Sequence, residues 1–325
     1  MSNVSVGSAS VSSANAAEQE TVSGRRRNRF MEFVGRLVRE RPLGAFGAAI
    51  CVVLIFTGVF ADVIAPEGYN AISPLDRLKA PSWEHWFGTD QLGRDLFART
   101  VHGAQLSIIV AFAATTLSII ISAVIGIASG YIGGRFDMTV QRFVDGWMCF
   151  PDLIILIVAV SVLGPGTGQV ILVLGLLFGI AGSRIVRGAV LSVKENTYVH
   201  AAQSMGASTL RILLRHILPN VMAPIIVLYT TRLAAVILAE SGLSFLGLGI
   251  PPPAPSWGGM LSLDGRTYMF QAPWLAIVPG LALTVAVFGI NMFGDALRDL
   301  LDPRMRGGGG RFIARVRKRA PASQR

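Results

Sequence analysis

An all-α fold, a bundle that crosses a membrane six times with both termini on the cytoplasmic side, is what this sequence predicts. Three observations carry that reading: apolar runs long enough to span a bilayer, arginines massed outside the first and last of them, and a composition too apolar for a water-soluble domain. Of the 325 residues, 52% are hydrophobic and 15% charged, with a mean hydropathy of +0.56. A chain of this kind is a polytopic membrane protein.

A span needs about 20 mainly apolar residues to cross the hydrocarbon core. The sequence offers Leu43 to Ile64, Ala104 to Ser129, Thr139 to Leu163, Gln169 to Leu191, His216 to Glu240 and Pro273 to Ala296. Cytoplasmic flanks are rich in Lys and Arg. Arg25, Arg26, Arg27, Arg29, Arg36, Arg39 and Arg41 precede the first run, and Arg298, Arg304, Arg306, Arg311, Arg315, Arg317, Lys318 and Arg319 follow the last. The net charge of +10 is thereby a matter of topology, and with no aromatic-basic signature beside it no nucleic-acid partner is expected.

The division that follows is a basic tail over 1–42, a first span over 43–64, an extracytoplasmic segment over 65–103, a five-helix domain over 104–296 and a basic tail over 297–325. The first residues, rich in Ser, Ala, Val and Gly, bury too little to offset ordering entropy and are expected to be disordered. Leu43 to Ile64 lacks a cleavage signature and reads as a retained anchor. Trp83 and Trp86 in the outer segment suit the membrane interface. After the last span, the basic tail that follows the Gly307–Gly310 run is expected to meet anionic headgroups of the lipid bilayer.

Within the spans, Gly126, Gly130 and Gly134 recur every fourth residue, as do Gly175, Gly179 and Ser183, and such stripes let helices approach closely. Cys51 and Cys149 lie in separate apolar runs and read as packing residues. Asp145 and Asp152 stand seven apart, on one side of a helix that Pro151 interrupts. Intramembrane charges are costly and face a bundle interior or a polar path. Asp152 and Arg232 are therefore candidates for a translocation path; for Arg232 a partner helix or snorkelling to an interface are the alternatives. Glu240 is placed near the outer surface.

The segment from Thr197 to Asn220 is polar, suited to a helix, and wedged between two spans. Small side chains at Ala201, Ala202 and Gly206 leave a face on which another protein can pack, and Leu218-Pro219 leads into the next span. An amphipathic surface helix is the plainer reading. Catalytic signatures are absent: there is no phosphate-binding loop, no H-E-x-x-H, no C-x-x-C and no G-x-S-x-G. The four histidines lie in loops on opposite sides of the membrane, an arrangement that suits no metal cluster. The chain is expected to be a non-enzyme without a cofactor of its own.

Residues 197–220 resemble the cytoplasmic Glu-Ala-Ala loop of ATP-binding-cassette importer permeases. Ala201, Ala202, Gly206, Ile217, Leu218 and Pro219 match that pattern, and His200 stands where the glutamate is usual. "FGTDQLGRDLFART" (87–100), "ILAESGLSFLGLGIPPPAPSWGGML" (237–261) and "DPRMRG" (302–307) narrow the resemblance to the dipeptide, oligopeptide and nickel permease group, with Ala98 and Gln105 departing from it. The resemblance implies a type I ABC importer permease fold in a bacterial-type plasma (inner) membrane. It also implies a second, homologous permease subunit, two cytoplasmic ATPase subunits that hold ATP and Mg, and an extracytoplasmic solute-binding protein. The ATPase-coupling residues would be His200, Ala201, Ala202, Gly206, Leu218 and Pro219, within a loop over 195–216, and the substrate a peptide or related small solute. An ion-coupled secondary transporter or a membrane scaffold is the rival reading; neither accounts for residues 197–220.

Overall fold

A computed structural model describes residues 29–301; the expectations for the outermost parts of both tails, "DPRMRG" included, lie outside them. Every regular element among the described residues is helical. Helix α1 (Arg29–Glu40) leads into α2 (Pro42–Val59), with Pro42 in its first turn where a missing N–H costs nothing, and then a short α3 (Ala61–Ile64). After the outer segment come α4 (Leu96–Ile132), α5 (Gly134–Met148), α6 (Asp152–Leu163) and α7 (Thr167–Lys194). The chain continues through α8 (Thr197–Ser204), α9 (Thr209–Ile212), a π-turn (Leu213–Ile217) and α10 (Leu218–Phe245). Two further short helices, α11 (Trp257–Met260) and α12 (Arg266–Tyr268), precede α13 (Trp274–Leu301).

Five helical stretches are long and apolar enough to cross a bilayer: Pro42–Val59, Leu96–Ile132, Thr167–Lys194, Thr209–Phe245 and Trp274–Leu301. The expected third span is not one helix. Helices α5 and α6 meet at 88° across Cys149–Pro151, because Pro151 cannot continue α5 and biases the residue before it away from helix. The 12 residues of α6 cover only about 18 Å, short of the ~30 Å core. Asp145 and Asp152 therefore do not share a helix face, and Cys149 is exposed at the break rather than packed.

Small residues set the bundle's closest approaches. A Cβ on Gly126 would stand 2.6 Å from the Ser183 carbonyl, and one on Gly179 would stand 2.8 Å from Ile121 Cβ, so α4 and α7 touch backbone to backbone. Ser122 Oγ fastens this seam by donating to the Gly179 carbonyl at 2.8 Å. Gly134 lies off the seam: with φ of +59° it opens α5. Helix α2 meets α13 in the same way, at Gly47 against the Gly289 carbonyl, 2.6 Å from the position of an added Cβ. Outward side chains such as Val52, Phe56, Leu281 and Phe288 are apolar and exposed, as a helix facing lipid requires.

The chain has an upper end, holding residues 65–95 and 246–273, and a lower end, holding residues 133–134 and 195–217. Arg41 pairs with Asp299 at 3.1 Å, so the start of α2 and the end of α13 meet at the lower end. The turn in "FGTDQLGRDLFART" caps α4, whose N-cap Asp95 accepts from Ala98 N at 2.9 Å. Gly93, at φ +73°, lets the backbone pass against the Ser73 carbonyl where any side chain would collide. Trp274 Nε1 donates to the Thr89 carbonyl at 3.2 Å, seating the outer segment on α13, and Trp257 Nε1 donates to the Thr100 carbonyl at 3.1 Å, tying α11 to the first turns of α4. Trp86 packs on Phe97 with ring centroids 5.0 Å apart.

Candidate functional site

Residues 195–217 form a two-helix unit at the lower end, and local chemistry sets each of its bends. The Asn196 side chain donates to the Val193 carbonyl at 2.9 Å and stops α7. The Asn196 carbonyl then accepts from Val199 N at 2.9 Å to start α8. Gly206, at φ +76°, closes α8: Gly206 N donates to the Gln203 carbonyl and Ala207 N to the Ala202 carbonyl, at 2.9 and 3.1 Å. This is the left-handed glycine cap that a residue with a Cβ resists. Pro219 has no N–H for the preceding turn, and the helix widens there, Leu218 N reaching back to the Leu213 carbonyl.

The π-turn sets Ile212 and Ile217 on one face. Both are buried, together with Val199 and Ala202, against Val186, Val190, Val221, Ile225 and Leu228 of α7 and α10. Burying a large aliphatic side chain is worth roughly 1.5–3 kcal/mol, so the unit is fixed to the bundle. Tyr131, at the end of α4, adds polar ties. Lys194 Nζ donates to the Tyr131 carbonyl at 2.7 Å and lies 5.6 Å from its ring centroid, while Gln203 Nε2 donates to the Tyr131 hydroxyl at 3.3 Å.

The small residues read as one outward face do not form one. Ala202 points into the bundle and is 3% exposed, since it follows Val199 by one helical turn. Ala201, Gly206, His200 and Pro219 are exposed, with open space around Gly206, and Leu218 is half-buried. What the pattern of small residues missed is the apolar surface beside them: Tyr198, Met205, Leu210 and Leu214 are 41%, 81%, 65% and 57% exposed. Arg211 and Arg215 flank it, also exposed. A mixed apolar and basic surface on a rigid unit is suited to binding a protein partner. The signal was available as a helical spacing of Leu210 and Leu214, four apart.

Of the membrane charges, Asp145 is taken up by ion pairs to Arg184 and Arg142, beside Arg187 and Asp137, which bond at 2.6 Å. They line a polar cleft of about 530 Å³ between α5 and α7. Asp152 is exposed at the start of α6. Arg232 is half-buried on α10, its guanidinium 5.1 Å from the Phe178 ring centroid. Phe178 in turn packs in one cluster with Leu156 of α6, one helical turn beyond Asp152. Glu240, near the upper end of α10, is 1% exposed and accepts from Ser244 Oγ at 2.7 Å.

At the upper end the charges of "FGTDQLGRDLFART" form a buried network. Asp90 is fully buried, accepts from Arg94 Nε at 2.6 Å and from Arg94 N at 2.9 Å, and faces Arg99 at 3.5 Å; Arg94 also reaches Asp264 at 3.7 Å. Burial raises the Asp264 pKa above the ordinary carboxylate value, and the Asp90 carboxylate adds to the rise, against the opposing pull of Arg99 and Arg94. The network joins the cap of α4 to the segment before α13, a structural role.

Known proteins share this architecture and sequence. In fold, the chain is similar to the inward-facing MetNI methionine ABC transporter, at a TM-score of 0.52 and 17% identity over 63% of this chain and 96% of the other. In sequence, it is 39% identical over 269 residues to the dipeptide transport system permease protein DppC of Alkalihalophilus pseudofirmus, covering 83% of this chain and 88% of that one. It is 39% identical over 293 residues to the oligopeptide transport system permease protein OppC of Bacillus subtilis, covering 90% and 95%. The glutathione transport system permease protein GsiD of Escherichia coli is likewise 39% identical over 277 residues, covering 84% and 90%. The description "binding-protein-dependent transport system inner membrane component" matches residues 122–307, and with that match and these relatives the chain belongs to this family of ABC transporter permeases.

Proposed function

We propose that this chain is the permease subunit of a heteromeric ABC importer and forms half of a translocation pathway for peptides or a related small solute. A second, homologous permease subunit would supply the other half. The chain would take substrate from an extracytoplasmic solute-binding protein and draw energy from two cytoplasmic ATPase subunits that hold ATP and Mg. In this reading the lower end is cytoplasmic, both termini lie there, and the membrane is a bacterial plasma membrane. Relatives named for dipeptide, oligopeptide and glutathione transport support the peptide class.

The observation that carries the reading is the unit at 195–217, apolar outside at Tyr198, Met205, Leu210 and Leu214 and locked inside by Val199, Ala202, Ile212 and Ile217. An ATPase seated on its outer face moves α7 and α10 with it, because the inner face has no slack. ATP closure then favours one of two arrangements of the helices, and the shift equals the difference in ATPase affinity for the two. His200 is exposed on this surface, so docking rests on shape and apolar contact more than on an acid. The test is Ala201→Trp in the reconstituted complex: a bulky group on the outer face should leave insertion intact and abolish uptake-linked ATP hydrolysis. Undiminished coupling would overturn the proposal.

A further inference from the structure

Arg232 has no structural employment that accounts for its cost. It lies near the middle of the 28-residue α10, so about 20 Å of helix separates it from either end, too far for its side chain to snorkel to an interface. A charge at that depth is retained for a reason of function or pairing. Yet among the described residues Arg232 forms no ion pair, and its Nε is buried with no hydrogen-bond partner. The guanidinium rests over the Phe178 ring, a contact that holds its plane without using its fork of donors. Phe178 packs in one buried cluster with Leu156 of α6, one helical turn beyond Asp152, and Asp152 itself is exposed at the α5–α6 break. Arg232 and Asp152 thus flank one packed cluster without forming an ion pair.

Opposite charges held apart within the bundle, one with a buried donor that has no partner and one exposed, complement a molecule that carries both signs at its ends. We propose that Arg232 and Asp152 are paired stations for a zwitterionic peptide, the guanidinium taking its C-terminal carboxylate and Asp152 its N-terminal ammonium. The inference rests on the importer reading above and adds to it a chemical basis for passage. Guanidinium and carboxylate match as a two-pronged pair.

The test uses the complete complex in sealed vesicles, supplied with its binding protein and a mixture of di- to tetrapeptides in three forms: free, C-terminally amidated and N-terminally acetylated. Uptake of each form is read by mass spectrometry, and comparing variants with wild type cancels the binding protein's own preference. Arg232→Gln should reduce the preference for free over amidated peptides by about tenfold, the size a charge-assisted hydrogen bond supports, and leave the preference for free over acetylated peptides in place. Asp152→Asn should do the reverse, and its arm stands alone should Arg232→Gln not assemble. If neither variant moves its own ratio, or each moves both ratios alike, the inference falls while the importer reading stands. Absence of any ATP-driven uptake by wild type would instead remove the importer reading and the inference with it.

Discussion

Ala201 and Ala202 are chemically identical neighbours with opposite surroundings: the first is exposed and the second is sealed against the bundle. Ala202→Leu should therefore overpack the cluster and cost ~1–3 kcal/mol, while Ala201→Leu should stay within about 0.5 kcal/mol; thermal unfolding in detergent distinguishes them. Asp264 gives a pH signature. Its folded pKa lies above the unfolded value of 3.8, so the folded state binds the proton more tightly and stability falls as pH rises from the unfolded value through the folded one. Asp264→Asn should flatten that slope in a pH series of unfolding midpoints. The run of small residues was legible in the sequence as a pattern. Which alanine faces inward was not, because the register of α8 is set by Asn196 and by the Gly206 cap. Arg232 and Asp152 were legible as costly charges, whereas their mutual placement depends on the sharp bend between α5 and α6.

At the scale of elements, apolar length revealed five long spans with their approximate limits, because a bilayer of fixed thickness leaves few alternatives to a helix of about 20 residues. The start of α4 escaped that logic. Its first turns carry Arg99 and His102, which hydropathy counts as loop, yet the Asp95 cap and the buried charge network make them helical. The α5–α6 break escaped it too, since the apolar run continues past Pro151. Pro151→Ala should relieve the break, and spin labels at positions 138 and 158 should then report a longer separation than in the parent protein. Gly126→Leu should prevent the α4–α7 seam from closing against the Ser183 carbonyl, seen as loss of folded protein from the membrane fraction.

For the whole molecule, the Arg41–Asp299 ion pair joins the start of α2 to the end of α13, and the family match gives the bundle its class. The central claim of the account is that this unit receives an ATPase. Affinity isolation of the chain from native membranes tests it most directly, comparing wild type with the Met205→Glu/Leu210→Glu double variant, whose charges fall on exposed positions and leave the core alone. The account predicts that ATP-hydrolysing subunits come down with wild type and are lost from the double variant, while both insert equally. Equal recovery of those subunits with both proteins, or sodium- or proton-driven uptake by the chain on its own, would contradict it.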